Sequence, residues 1–172
     1  YAGRNVMISG AGGSIGSELC RQILACRPAC LVLLDVSELG LYTIDMELRA
    51  RAKKMKVKLV PVLGTVTEDN VMRRVLTDHK VQIVLHAAAY KHVPLVEDTN
   101  NIIKACENNV IGTLNLAQVS MENEVKSFVM ISTDKAVRPS NVMGASKRMA
   151  EILIQSLNTH KSNTNFSMVR FG

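Results

Sequence analysis

The chain has no tryptophan, and only three tyrosines and three phenylalanines supply aromatic rings. A core built without large rings must be aliphatic, from Val, Leu, Ile, Ala and nine methionines whose flexible thioethers fill irregular gaps. The shortage also argues against binding of single-stranded nucleic acid, which stacks its bases on exposed rings. The four cysteines, Cys20, Cys26, Cys30 and Cys106, form no C-x-x-C pair, and no histidine is spaced to complete a zinc site with them. No metal is expected, and reduced, mostly buried thiols point to a cytoplasmic protein. There is no signal peptide and no apolar stretch approaching the ~18 residues of a membrane span, so this chain is not expected to contact a membrane itself.

Acidic residues are also scarce, 15 against 21 Lys and Arg, giving a net charge of +6. That balance suits nucleic acid, a membrane surface or an anionic small molecule. The densest cationic run, Arg49 to Lys56, falls at the end of an expected helix, where positive charge complements the helix dipole. It reads as a solvated helix terminus rather than a nucleic-acid patch. With 172 residues, 47% of them hydrophobic, the chain reads as one domain with ample core material.

What is present starts with Ser9-Gly10-Ala11-Gly12-Gly13-Ser14-Ile15-Gly16-Ser17-Glu18, set between the apolar run Val6-Met7-Ile8 and a helix-like run from Leu19. A strand, a glycine turn and a helix together bind a dinucleotide pyrophosphate. Gly10 permits the tight turn, Gly13 lets backbone approach phosphate, and Gly16 is expected to let the helix press on the strand. The helix N-terminus offers free N–H groups and partial positive charge to the anion. The spacing Gly10-x-x-Gly13-x-x-Gly16 differs from the simplest fingerprint, but a second signal accompanies it. Leu31-Val32-Leu33-Leu34-Asp35 reads as a buried strand ending in a carboxylate 19 residues after Gly16, close to the ~20 expected of the acid that binds the ribose hydroxyls. The alternative for Asp35 is a cap of the next helix. With Val36, Ser37 and Glu38 following instead of a cation, the site suits NAD in preference to NADP.

Strands are expected at 4–9, 31–35, 57–63, 81–87, 125–132 and 166–171, and helices at 14–27, 38–54, 67–78, 100–121 and 144–160. Strict alternation predicts an α/β Rossmann-type, doubly wound parallel sheet in three αβα layers, with strand order 3-2-1-4-5-6. Every segment is used in the sheet and its helices. The chain therefore reads as the cofactor half of a larger enzyme, with a substrate-binding segment expected after Gly172 and the 172 residues silent alone.

Three stretches fall at the carboxyl ends of strands, where ligands bind in this architecture. His86-Ala87-Ala88-Ala89-Tyr90-Lys91-His92-Val93-Pro94 leaves room for a ribose beside three alanines, or forms a small-residue packing seam. Ser132-Thr133-Asp134-Lys135-Ala136 brings a hydroxyl, a carboxylate and an ammonium out of a buried strand, which is costly unless they face a site or pair with one another. In Asn141-Val142-Met143-Gly144-Ala145-Ser146-Lys147, positions 143 and 147 lie about one helical turn apart, in itself an ordinary amphipathic start.

Together these stretches resemble the extended short-chain dehydrogenase/reductases, and more closely the UDP-N-acetylglucosamine 4,6-dehydratases of polysaccharide biosynthesis. Asn109-Val-Ile-Gly-Thr113 and Val169-Arg-Phe-Gly172 are similar to further elements of that group, so the resemblance spans nearly all 172 residues. Two positions depart from the wider superfamily. Met143 stands where its catalytic Tyr is usual, as in the large membrane-anchored branch, and a thioether cannot act as a base. Gly64-Thr65-Val66 replaces Gly-Asp-Val near the adenine.

The resemblance implies NAD bound by Gly10, Gly12, Gly13, Ser14, Ile15, Gly16, Asp35, Gly64, Thr65, Val66, Ala87, Ala88, Ala89, Lys91, Asn109 and Lys147. It implies a UDP-sugar substrate, a homo-oligomer, and a longer form that fits the cytoplasmic face of a membrane. Chemistry falls to Thr133 at the C4 oxygen, Asp134 as acid for the C6 hydroxyl, Lys135 as base at C5, and Lys147 on the nicotinamide ribose, with Met143 beside them. Lys91 and Lys147 are the candidate bases for the C4 hydroxyl. A 4-epimerase, which needs neither Asp134 nor Lys135, and an inactive cofactor-binding domain are the rival readings.

Overall fold

Val6, Met7 and Ile8 are all fully buried, which a strand achieves only when both its faces are covered. In the computed structural model, which describes residues 1–159 and 162–171, that strand is β1 (Asn5–Ser9), at the centre of the sheet. The others are β2 (Cys30–Asp35), β3 (Lys58–Leu63), β4 (Ile83–His86), β5 (Ser127–Thr133) and β6 (Asn165–Phe171). All five pairings are parallel, and the order is β3-β2-β1-β4-β5-β6, the doubly wound order expected from the alternation. Helices α1 (Ser14–Ala25), α2 (Glu38–Met55), α3 (Asp69–Asp78), α4 (Val93–Val96), α5 (Ile102–Cys106), α6 (Gly112–Glu122) and α7 (Val142–Leu157) complete the chain.

Strand alternation divides the core in two. Val6, Ile8, Leu31, Leu33 and Leu85 meet Ile23 and Leu24 of α1 and Leu41, Ile44 and Leu48 of α2. Met7, Val32, Leu34, Val84, Phe128 and Met130 meet α3, α6 and α7 through Met72, Leu76, Leu116 and Ile154. Two layers, aliphatic but for Phe128 and Phe166, thus hold the sheet between helices, and every strand ends at the same rim.

The glycine turn sets how tightly that rim is built. Gly10 takes φ +74°, a left-handed conformation that favours glycine. A Cβ there would also lie 2.6 Å from the Ala88 amide nitrogen. One on Gly16 would stand 1.8 Å from the Gly10 carbonyl oxygen, so Gly16 serves the turn itself; the expectation that it relieves α1 against the strand is corrected. One on Gly12 would strike Gly40 of α2 at 2.6 Å. Around Gly13 the closest atom is 3.3 Å away.

Helix boundaries differ from the expectation in one informative place. The single helix expected over 100–121 is α5 and α6 joined through a π turn, Glu107–Ile111. Its wider coil turns Asn109 inward, fully buried. It also carries Gly112 past Val66, where a Cβ would be only 2.7 Å from a methyl group. Short turns at Val93–Val96 and Asp134–Ala136 were not foreseen, because four or fewer residues carry no periodicity. The last helix begins at Val142, capped by the Asn141 side chain, which accepts from the Gly144 amide at 2.7 Å. His160, where that helix was expected to end, and Gly172 lie outside the described residues.

Helix propensity alone predicts that Gly16→Ala stabilises α1 by about 1 kcal/mol. The clash with the Gly10 carbonyl reverses the sign, and a loss above ~2 kcal/mol is expected in urea unfolding. Gly13→Ala should change stability by less than ~1 kcal/mol. Equal effects from the two substitutions would show that the turn relaxes freely.

Candidate functional site

The rim opens into a cleft of about 640 Å³. Its floor is the glycine turn and the first turn of α1, from Gly10 through Gly12, Gly13, Ser14 and Ile15 to Gly16. The Gly13 cap of α1 has no side-chain hydrogen bond, and no acidic residue stands in the first helical turn. Amide donors and dipole therefore face the cleft unneutralised, which is an anion site.

Asp35 closes one end. Its Oδ2 accepts from the Gly12 amide at 2.7 Å and its Oδ1 from the Ser37 amide at 2.8 Å. The cap of α2 is Ser37, whose hydroxyl accepts from Gly40 at 3.1 Å. An ionised carboxylate has about four acceptor positions, so Asp35 ties the glycine turn to β2 and keeps capacity for a ligand. Gly64, Thr65 and Val66 line the same end. Ala87, Ala88 and Ala89 line the cleft, and Ala87 and Ala88 also receive the Gly10 backbone, so the packing seam weighed as one reading is present at those two.

Lys91 lines the cleft as well, while Asn109 does not. Asn109 instead clamps the loop that carries Lys91: its Oδ1 accepts from the Tyr90 amide at 2.8 Å, and its Nδ2 donates to the Tyr90 carbonyl at 2.9 Å and to Ser146 Oγ at 3.0 Å. Beneath it His86 is fully buried, and burial pushes its imidazole down to about 3, so it is neutral. The Thr113 hydroxyl donates to the Asn109 carbonyl at 2.7 Å, leaving its oxygen to accept from His86 Nε2 at 2.8 Å. Nδ1 then accepts from Ser9 Oγ at 2.7 Å. The ring joins β1 and β4 to Thr113 of α6, whose hydroxyl bonds on to the π turn, and it stands outside the cleft lining.

At the other end β5 delivers Ile131, Ser132 and Thr133 to the cleft, the turn after it delivers Lys135, and α7 delivers Met143 and Lys147. Gly144 lets α7 approach this turn, since a Cβ would stand 2.4 Å from the Lys135 carbonyl oxygen. Lys147 is 5% exposed and donates to the Ile131 carbonyl at 2.7 Å. Burial pushes its ammonium down to about 8, with the Glu151 charge acting in the opposite direction. Asp134 stands just outside the lining. Its carboxylate accepts from the Thr133 hydroxyl at 2.9 Å and pairs with Lys135 at 3.6 Å. The Thr133 hydroxyl holds it below the usual carboxylate range, with Lys135 contributing. The ion pair weighed as the alternative for this turn is thus present, with Thr133 and Lys135 still open to the cleft.

Sequence reasoning missed Tyr90, Asn108, Ser132 and Phe171, which also line the cleft, and Glu151 and Arg170 behind it. Glu151 had a signal: it follows Lys147 by four residues, on the same face of one helix. Arg170 and Phe171 lie in the stretch Val169 to Gly172 that resembles a family element, but nothing in that stretch says that either reaches the cleft, since their place depends on where the strand ends. Among the described residues no group of His, Cys, Asp and Glu could hold a metal ion, and no helix is long and apolar enough to cross a membrane.

Comparison with known proteins agrees with this geometry. The chain is 48% identical to the capsular polysaccharide biosynthesis protein CapD of Staphylococcus aureus over 98% of its own length and 28% of CapD. It is 29% identical to a UDP-N-acetylglucosamine 4,6-dehydratase (inverting) of Campylobacter jejuni, over 100% of this chain and 49% of that one. The solved structure of Pen from Bacillus thuringiensis superposes with a TM-score of 0.90 at 29% identity, covering 100% of this chain and 51% of Pen. The chain thus spans between about a quarter and a half of the length of these relatives. A family model described as polysaccharide biosynthesis protein matches residues 6–172. With a parallel six-stranded sheet, a glycine-floored cleft at its carboxyl rim and that match over nearly its whole length, the chain belongs to the polysaccharide biosynthesis protein family.

Proposed function

We propose that this chain binds NAD and forms the cofactor side of a nucleotide-sugar 4,6-dehydratase, an enzyme that removes water across C5 and C6 of a UDP-N-acetylhexosamine. One observation carries the reading. A single cleft has an uncapped helix N-terminus at its floor, a carboxylate at one end, and Thr133, Lys135 and Lys147 at the other. A dinucleotide has that polarity, with a pyrophosphate in the middle and a ribose at either side. The bare surface of Gly13 and the spare acceptors of Asp35 fit it. When bound, the cofactor supplies hydride exchange with the sugar, and the protein supplies position and proton transfer.

Each residue then has a task set by its surroundings. Lys147, a buried donor, holds ribose hydroxyls and adds positive charge beside the reacting carbon. Pushed down to about 8, Lys147 is in part the neutral amine, the form that can accept the C4 hydroxyl proton in place of the missing Tyr, which makes it the stronger candidate. Met143 is buried beside it and contributes shape, since a thioether takes no proton. Thr133 donates to the C4 oxygen once that oxygen replaces Asp134 as its acceptor. Released from Thr133, Asp134 loses the bond that most favours its ionised form. Its pKa then rises toward that of a general acid for the departing C6 hydroxyl. Lys135 removes H5. The wall that closes over the sugar nucleotide is assigned to a part of the protein outside these residues, in keeping with relatives about twice as long or longer.

The decisive experiment is mass spectrometry of UDP-N-acetylglucosamine incubated with the full-length protein. Loss of one water is expected; an unchanged mass with a new sugar means 4-epimerisation.

Titration calorimetry should give tighter binding for NAD⁺ than for NADP⁺, because Asp35 repels a 2′-phosphate. The opposite order would remove Asp35 from the ribose. Gly13→Ala should weaken NAD⁺ binding while leaving the fold intact.

In the full-length protein, Asp134→Asn should still form bound NADH on mixing with substrate, yet lose ~10²-fold or more in product release. Turnover near the wild-type rate would exclude Asp134 from the elimination.

A further inference from the structure

Glu151 has a side chain with no exposure at all, at the middle of α7. Both its oxygens are fully engaged. Oε1 accepts from the Ser132 hydroxyl at 2.8 Å and from Arg170 Nε at 2.8 Å. Oε2 accepts from Arg170 Nη2 at 2.7 Å and from Arg148 Nη1 at 3.0 Å. Ser132 and Arg170 face one another in the β5–β6 register. The carboxylate therefore fastens α7 to the ends of two strands at once. Ser132 immediately precedes Thr133, and Lys147 lies one helical turn before Glu151 and bonds the carbonyl immediately before Ser132.

A buried ion pair is poor support for stability as such, since apolar residues of similar volume often serve as well. Here its location gives it a further use. We propose that Glu151, clamped by Arg170, is a positioning residue for the cleft. It fixes the spacing between the Lys147 nitrogen and the Thr133 hydroxyl, and its charge offsets the burial of Lys147. Its bearing on catalysis rests on the reading given above; its hold on Lys147 does not.

The ionisable groups around Lys147 come from four elements. Glu151 and Arg148 lie on its own helix, and His86 on β4 feels its charge but is neutral. Arg170 on β6 reaches it through Glu151, while Asp134 and Lys135 occupy the turn after β5. Glu151 is the buried anion among them, so the charge of Lys147 should follow the balance between Glu151 and Arg170.

The test is titration of the Lys147 side chain by ¹³C NMR of lysine-labelled protein, with the signal assigned through Lys147→Arg. Glu151→Gln removes the anion and leaves two arginines uncompensated, so Lys147 should titrate lower than in the wild type by roughly half a pH unit or more. Arg170→Gln leaves the anion less neutralised, and Lys147 should titrate higher. Opposite shifts support the proposal; no shift, or shifts in one direction, overturn it. Should Glu151→Gln fail to fold, Arg170→Gln on the half-exposed edge strand decides alone, by an upward shift or its absence.

In the full-length protein both variants should lower kcat for NAD⁺ reduction more than they raise KM, as expected when positioning is lost. A raised KM with kcat intact overturns the positioning role. A wild-type protein inert toward UDP-sugars sinks the dehydratase reading instead, and leaves the NMR shifts to judge Glu151.

Discussion

Backbone meets backbone at Gly10, and the cleft depends on that contact. The Gly10 carbonyl oxygen occupies space that any side chain at residue 16 would need, while the Gly10 α-carbon lies against Ala87 and Ala88. Three elements thereby converge within a few ångströms: the end of β1, the start of α1 and the turn after β4. The helix dipole is aimed into the cleft because the turn admits no wider path. Gly12, pressed on Gly40 in the same way, presents its amide to Asp35. An acidic residue on a neighbouring strand is thus fixed at a set distance from an anion site by hydrogen bonds rather than by packing alone.

Around this turn the protein buries polar groups in linked chains. Ser9, His86, Thr113 and Asn109 form a continuous hydrogen-bonded path from β1 to the π turn, and Asn109 extends it to Tyr90 and Ser146. Leaving any one buried member unpaired costs on the order of 1–3 kcal/mol, so the path has few alternative arrangements. Its effect is to tie down the backbone of the loop after β4, whose side chains from Tyr90 to His92 are exposed. The π turn belongs to the same device, since a regular helix from Ile102 to Glu122 would rotate Asn109 away from that loop.

The opposite end of the cleft is charged, and its charges are graded by burial. Glu151 is held by Arg170 so firmly that its carboxyl is pushed down to about 2. Lys147 is drawn the other way by burial, to about 8. Asp134 and Lys135 remain at the surface, where a ligand that displaces water would change them most. Two buried groups thus stand behind two exposed ones, of which Lys135 lines the cleft.

Much of this was legible in the sequence. Alternating apolar runs and helical patterns determine a parallel sheet, because strands without an exposed face read as unbroken Val, Leu and Ile, and because crossovers need helices. The strand order, the glycine turn and Asp35 follow from residue type and spacing, which are local properties. The polar turn at Thr133 and Lys135 stands out by following a buried strand, whereas Lys147 is singled out only through the family resemblance, its spacing from Met143 being an ordinary helical turn. What only the tertiary structure decided is how residues distant in the chain share space. That Gly16 answers to Gly10 rather than to the strand, that Asn109 holds a loop instead of lining the cleft, and that the expected helix over 100–121 widens at its centre are results of close approach between elements. So is the pairing of Glu151 with Ser132 and Arg170, each 19 residues away along the chain in opposite directions. A linear pattern records which face a side chain takes, whereas the partner on that face is set by register and by the height at which a helix packs on the sheet.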